Sequence, residues 1–423
     1  MARPSFSIIV VSRGRPASLV HCLTSLVRLA YAPYEIIVVA DPEGLTALEG
    51  RAEFALIRRI PCDTPNISRA RNLGVSAAGG EVLAFIDDDA VAEPGWLAHL
   101  ARAFEVPSVA AATGFTRGPD GIRFQSRAAE VLGTGQERAL QVDPRRITFL
   151  HARPGRAIKT EGTNMAFRRG VLEALGGFDP AFAFYMDETD LNLRLSRHHA
   201  VTAIAPLAEV HHARAPGPLR AADRAPLHLA RVGVSTARFL ARHCPAADFE
   251  SALAGLRAER RRGLLGHMVA GRLEPGDVLR LLSQFDSGAR EGQADPRLPV
   301  PGWSWLAEVA AEKAAVAGEF RAYPTLRTAE PVVIATRRLF LRRNLALAEA
   351  LAARGRPVSL FAFSPTCLAH KVRMTEAGVW LQEGGTFGNS PRTDRGAKFW
   401  HMNGRFSHEL ARISEQRWQG DVG

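Results

Sequence analysis

At 423 residues the chain is too long for one ordinary core, which predicts two or three domains. Hydrophobic residues make up 46% of it, a globular proportion, and no apolar run approaches the ~18 residues of a membrane span. All but Lys159, Lys313, Lys371 and Lys398 of the 54 basic residues are arginine; the resulting +11 charge favours anionic partners. No zinc-finger spacing or stacked-aromatic motif accompanies that charge, which excludes nucleic acid as the expected partner.

Phe6 to Val11 reads as a buried strand, and Ser12-Arg-Gly-Arg-Pro16 as a turn into a helix carrying Leu19, Leu23, Leu26 and Leu29. No secretory segment precedes that strand, and the expected location is the cytoplasm. Strands follow at Glu35–Ala40, ending at Asp41, and at Ala55–Ile60; a helix capped by Asn66 spans Ile67–Ala78. After Gly79-Gly80, Val82 to Asp87 has strand length, followed by a helix from Gly95 to Phe104 and a strand near Val109–Thr113. Strand and helix alternate at the spacing of a parallel sheet with helices on both faces.

Arg117 to Arg156 is looser and unassigned. Order returns with a strand at Thr163–Arg168, a helix at Asp187–Arg197 and a strand at Val201–Ala205 that ends near His211-His212. Pro218 to Gln284 is helical and basic, with Arg231, Arg238 and Arg242 on one face. Residues 285–301 read as a linker rich in Gly and Pro. Beyond it, Pro331–Thr336, Arg342–Arg354 and Pro357–Phe363 form a strand–helix–strand unit, and a polar, aromatic-bearing segment closes the chain. Cys22, Cys62, Cys244 and Cys367 lack ligand spacing and suggest buried thiols in a reduced compartment.

Three consecutive carboxylates, Asp87, Asp88 and Asp89, stand where a strand stops, the edge at which open α/β sheets bind ligands. Together they repel unless a cation neutralises them, and hard oxygen donors suit Mg²⁺ or Mn²⁺. A solvated turn with Asp89 capping the next helix is the competing reading. Asp41 ends another strand of the same sheet and would face the same crevice. Arg71 could reach phosphate, or lie on the surface of an Arg-rich chain. Asp187, Glu188 and Asp190 crowd the first turn of a helix, where its dipole favours negative charge; the apolar approach Phe182, Phe184, Tyr185, Met186 would raise a carboxylate's pKa. A histidine near a strand end, His211 or His212, adds a candidate metal ligand.

In that order the stations resemble the family 2 glycosyltransferases, nucleotide-sugar enzymes with a single α/β nucleotide-binding fold of A type. The resemblance rests on Ser7-Ile-Ile-Val-Val-Ser-Arg-Gly-Arg-Pro16, Ser68-Arg-Ala-Arg-Asn-Leu-Gly74, Phe85-Ile-Asp-Asp-Asp-Ala90 and Gly162-Thr-Asn-Met-Ala-Phe-Arg-Arg169. It continues through Gly176-Gly-Phe-Asp-Pro180, Asp187-Glu-Thr-Asp-Leu-Asn-Leu-Arg-Leu195 and the late histidine, covering residues 5 to about 245.

The resemblance implies roles. Asp41 would bind the nucleotide base, Asp87 the ribose and Asp89 the metal, with His211 completing the metal site and His212 as its competitor. Ser12, Arg71 and Asp88 join the donor-binding set. Glu188 becomes the general base beside Asp187, and Asn164 and Asp190 fall on the acceptor side. Ser12-Arg-Gly-Arg replaces the commoner Thr-Tyr-Asn-Arg, leaving UDP, GDP and dTDP open as donors, and the Asp-Glu order leaves Asp187 open as base.

The expected architecture is a mostly parallel A-type nucleotide-binding sheet (residues 1–217), a basic helical extension (218–284), a linker (285–301) and a small C-terminal α/β unit (302–423). The expected activity is metal-dependent, inverting transfer of a sugar from a nucleotide diphosphate to a glycan or lipid-linked acceptor. Mn²⁺ or Mg²⁺ is the expected cofactor; the basic helices could rest peripherally on the inner face of a membrane, with a solvated basic face as the competing reading. A sugar-nucleotide pyrophosphorylase fits less well, for want of a Gly-rich phosphate loop after the first strand; a non-catalytic nucleotide-sugar-binding scaffold is the alternative outside the enzymes.

Overall fold

A computed structural model describes residues 3–294, 304–312, 319–324, 330–391 and 401–418. The first half contains β1 (Phe6–Ser12), α1 (Pro16–Leu26), β2 (Tyr34–Ala40), α2 (Pro42–Thr46), β3 (Arg58–Pro61), α3 (Ile67–Ser76), β4 (Val82–Asp87), β5 (Ala90–Ala92), α4 (Trp96–Phe104) and β6 (Val109–Arg117). Short strands follow: β7 (Phe124–Ser126), β8 (Ala129–Leu132), β9 (Glu137–Ala139), β10 (Thr148–His151), β11 (Arg156–Ile158) and β12 (Met165–Arg168). Then come α5 (Arg169–Ala174), α6 (Asp187–Ser196), β13 (Val201–His212) and the helices α7 (Ala230–His243), α8 (Phe249–Val269), α9 (Pro275–Ala294) and α10 (Trp305–Glu312). The C-terminal unit comprises β14 (Val332–Arg337), α11 (Leu341–Ala353), β15 (Val358–Ser364), β16 (Lys371–Met374), β17 (Val379–Gly385) and α12 (Met402–Arg417).

The main sheet runs β10-β13-β6-β12-β4-β1-β2-β3. The segment β4-β1-β2-β3 is parallel throughout, as is β13 on β6. Every residue of β2 is buried, the signature of a strand covered on both faces. One apolar cluster packs α1 and α4 on one face, and another packs α3 and α5 on the other. Strand order reverses between β1 and β4, so the crevice opens beyond Ser12 and Asp87, where such sheets bind ligands.

Several expectations are corrected. The loose region Arg117–Arg156 supplies β7, β10 and most of a separate three-stranded sheet, β11-β8-β9. β13 does not stop at Ala205 but runs through both histidines, with a bulge: Ala205 pairs with Gly114 and Val210 with Thr116. Residues 285–294 are helix, not linker; Phe285 and Ala289 are buried, while 295–301 lie outside the described residues. The glycines there serve close packing, since a Cβ on Gly288 would strike the Ala230 carbonyl and one on Gly292 that of Val234.

The basic face of α7 is also spent inward. Arg238 donates to the Ala181 carbonyl, and Arg242 is buried against Asp179 and Asp190, leaving Arg231 exposed. The four cysteines are free, but only Cys22 is fully buried and Cys367 is exposed. Among the described residues no helix is long and apolar enough to cross a membrane.

In the C-terminal unit the sheet β14-β15-β17-β16 carries α11 on one face and α12 on the other. The unit docks on the first domain. Val372 donates to the Asp120 carbonyl at 2.9 Å, and Val372, Met374 and Trp380 pack on Val91 and Ile122.

Candidate active site

The crevice is built from strand ends. Ser12, closing β1, donates its hydroxyl to Asp88 Oδ2 at 2.6 Å. Asp41, at the end of β2, caps α2 by accepting from the Gly44 amide at 2.9 Å, and it accepts from the Gly14 amide at 2.7 Å. Asp87, ending β4, accepts from the Thr163 hydroxyl at 2.5 Å, with Arg71 NH2 3.5 Å from its other oxygen.

Strand pairing decides which histidine enters. His212 pairs with Ala90 and its Nε2 lies 3.1 Å from Asp89 Oδ1. Successive strand residues point to opposite faces, and His211 accordingly turns away, its Nε2 2.8 Å from Glu93 and its ring 4.9 Å from that of Trp380. Of the two candidate histidines, His212 therefore joins the acidic cluster, and His211, the one expected to complete the metal site, does not. One ligand atom each from Asp87, Asp89 and His212 lie within 4.8 Å of one another. Two hard carboxylates with an imidazole form a donor set that Mn²⁺ accepts readily.

Arg15, which the sequence reading passed over, is the cation of this cluster. Its NH2 lies 2.5 Å from Asp88 Oδ1 and its NH1 2.9 Å from Asp89 Oδ2. Burial pushes the Asp88 carboxyl up to about 7, against the opposing pull of Arg15. Burial acts the same way on Asp89, but the hydrogen bond and charge of His212, Arg15 and the Ala215 amide outweigh it and hold Asp89 at about 2. The pair thus splits: one aspartate takes a proton near neutrality and its neighbour stays ionised.

The second acidic station lies across the same crevice. Arg71, fully inside, pairs with Asp187 through NH1 while NH2 approaches Asp87 and the Gly162 carbonyl. One guanidinium therefore spans carboxylates 100 positions apart in sequence. Tyr185 (φ 72°) and Met186 (φ 67°), both left-handed, turn the chain sharply into α6. Such residues each cost roughly 1–3 kcal/mol and cluster at functional sites.

Glu188, next on that turn, is half-buried. Desolvation first, and then the charges of Asp187 and Glu161, raise its pKa to about 8, with Lys159 and Arg71 opposing. Lys159 and Glu161 line a cleft of about 790 Å³ together with Phe124, Arg127 and Arg214. Lys159 and Glu161 were not singled out from sequence, and Thr163 only as part of the run Gly162-Thr-Asn164. The run Lys159-Thr-Glu-Gly-Thr163 ahead of a strand, three polar residues before an apolar one, was the signal available.

Two acceptor-side expectations fail on geometry. Asn164 is completely buried: its Oδ1 accepts from Trp96 at 2.9 Å and its Nδ2 donates to the Phe115 and Ala208 carbonyls. Asp190 is equally enclosed, held by Arg194 at 2.8 Å, Arg242 at 2.7 Å and His243 at 2.9 Å. Burial would raise its pKa, but Arg194, the His243 hydrogen bond and Arg242 drive it far below the usual carboxylate range. Both residues brace the site from behind.

Residues 7–176 match the family described as Glycosyl transferase family 2. A glucosyl-dolichyl phosphate glucuronosyltransferase of Haloferax volcanii is 30% identical over 179 residues, 41% of this chain and 55% of that protein. The O-antigen biosynthesis protein RfbC of Myxococcus xanthus is 30% identical over 223 residues, 49% of this chain and 17% of that protein. The chain thus spans about half the length of the first relative and less of the second. Among solved structures, mannosyltransferase PcManGT from Pyrobaculum calidifontis, in complex with GDP-Man and Mn²⁺, is 18% identical with a TM-score of 0.39, covering 75% of this chain and 81% of that one. Over residues 7–176, the chain is thus similar to glycosyl transferase family 2.

Proposed function

We propose that the protein is a metal-dependent, inverting glycosyltransferase that moves a sugar from a nucleotide diphosphate to a glycan or lipid-linked acceptor. The observation that carries this reading is the single crevice holding Asp87, Asp89 and His212 on one side and Asp187 and Glu188 on the other, joined by Arg71. Asp41 and Ser12 stand at the base-binding end, and UDP, GDP or dTDP would lie along the ends of β1, β2 and β4.

Asp87, Asp89 and His212 would hold Mn²⁺ or Mg²⁺, which as a Lewis acid offsets the charge on the departing diphosphate. Arg71, cationic and buried, stands ready for phosphate oxygens; Arg15 compensates the remaining aspartate charge. Glu188 interacts electrostatically with Lys159 and Glu161, which line the cleft, and would take the acceptor's proton. One displacement, with the sugar cation-like at its transition state, inverts the anomeric centre. The name of the Haloferax relative, which contains glucosyl-dolichyl phosphate, supports a lipid-linked acceptor.

A thermal-shift panel of UDP-, GDP- and dTDP-sugars with and without Mn²⁺ tests the reading. One donor class should stabilise the protein only with metal, and Asp89→Ala should abolish that shift. His212→Ala should weaken the metal-dependent shift about tenfold or more in apparent affinity. His211→Ala should leave it intact while lowering the resting Tm, because His211 supports Glu93. Equal shifts in wild type and Asp89→Ala would remove the metal site; donor binding without any turnover would assign a scaffold instead.

A further inference from the structure

The C-terminal unit takes no part in the chemistry above, yet one edge of it is unusually apolar. Its parallel strands run in step, with Arg337 opposite Phe363 and Phe363 opposite Gly384. The segments leaving β14, β15 and β17 therefore emerge at the same edge. They carry Leu339 (85% exposed), Phe340 (52%), Leu368 (50%) and Phe387 (39%).

Leu339 and Phe340 sit in the run Arg337-Arg-Leu-Phe-Leu-Arg-Arg343. Arg337, Arg338, Arg342 and Arg343 are all exposed, and none forms an ion pair with a described residue. The turn is fixed in place: Asn344 Nδ2 donates to the Phe340 carbonyl at 2.9 Å and to the Thr336 hydroxyl at 3.0 Å.

We propose that this edge docks the protein on an anionic lipid bilayer, with Leu339, Phe340, Leu368 and Phe387 entering the acyl boundary and the four arginines meeting lipid phosphates. Aromatic and aliphatic tips flanked by basic residues suit the interface between headgroups and acyl chains. Guanidinium groups pair with phosphate through two parallel hydrogen bonds. A nucleic-acid duplex would use the arginines but gain nothing from the aliphatic Leu339 and Leu368, so the combination favours lipid. The surface does not depend on the transfer reaction, and its test is separable from that of the site.

The full chain is sedimented with vesicles of phosphatidylcholine alone, or mixed with about 30% phosphatidylglycerol. Binding is expected only to the anionic vesicles, weakening with salt. A basic residue near such a surface contributes roughly fivefold in partitioning. Arg337→Gln with Arg338→Gln should therefore cost about 25-fold, and Leu339→Ser with Phe340→Ser at least about tenfold. Resting Tm and the donor-induced shift should stay unchanged in both variants, because every altered side chain is exposed. Equal partitioning of both variants with wild type, or equal binding to neutral and anionic vesicles, would overturn the proposal. So would a wild-type dimer that dissociates on Leu339→Ser with Phe340→Ser, or tight duplex RNA binding indifferent to that substitution.

Discussion

Glu188→Gln is expected to lower kcat by about 10²–10⁴-fold, the range of a positioned general base, while the metal-dependent donor shift persists. The same substitution should make the protein more stable. Glu188 titrates near 8 when folded, against an ordinary value of 4.5. Between those pH values the folded state holds a proton that the unfolded chain has released, so this group's contribution falls as pH rises. Removing the carboxylate relieves that cost: Tm should rise at pH 8 and above, and the gain should vanish below the ordinary carboxylate range. Activity runs the opposite way, because only the ionised base accepts a proton. kcat/KM should climb through about pH 8 and lose that limb in Glu188→Gln. If Asp187→Asn removes kcat and spares donor binding while Glu188→Gln does not, the two roles are exchanged.

Arg417→Ala should destabilise the protein by about 3–5 kcal/mol, the cost of leaving a buried carboxylate without its partner. Arg417, near the C-terminal end of α12, donates from Nε to Glu93 at 2.7 Å and from NH1 to Ser359 at 2.9 Å, with its guanidinium 4.6 Å from the Trp380 ring centre. Burial alone would raise the Glu93 pKa; Arg417, with His211, holds it at about 2. The contribution of this depressed group is present above the ordinary carboxylate pKa and is lost as pH falls towards 2. Urea unfolding of Arg417→Ala, Glu93→Gln and the double variant closes the cycle. The double variant should recover much of the loss, since Glu93→Gln removes the stranded charge. A loss unaltered by Glu93→Gln would mean that Arg417 acts through Trp380 packing alone.

The sequence disclosed the parts of the site that depend on local pattern. β1, β2 and β4 each contain a continuous apolar run, Ile8–Val11, Ile36–Ala40 and Val82–Ile86, and Asp41 and Asp87 mark where two of them stop, so both fall at one edge once the strands are parallel. The dense acids at 187–190 announce a helix start whatever their role. The missing information was relational. Arg15 is one arginine among many until Asp88 and Asp89 close around it. Asn164 and Asp190 sit inside recognisable motifs, and only their partners Trp96, Arg242 and His243, distant in sequence, reveal them as buried braces. The glycines of 285–294 suggested a flexible connection because a lone sequence does not display the α7 backbone pressed against them. The loose stretch after Arg117 folds by pairing with strands whose own patterns are short, which leaves periodicity little to detect.

The bulge in β13 carries a geometric corollary. From Ala205 to Val210 that strand advances five positions while β6 advances two, from Gly114 to Thr116. The odd surplus inverts the up-down phase of everything beyond it, and so selects which of two adjacent imidazoles joins the acids and which meets Trp380. Deleting one residue between 206 and 209 would swap them, whereas deleting two would not. Which imidazole meets the acids is thus written in a parity, several residues upstream of the histidine itself.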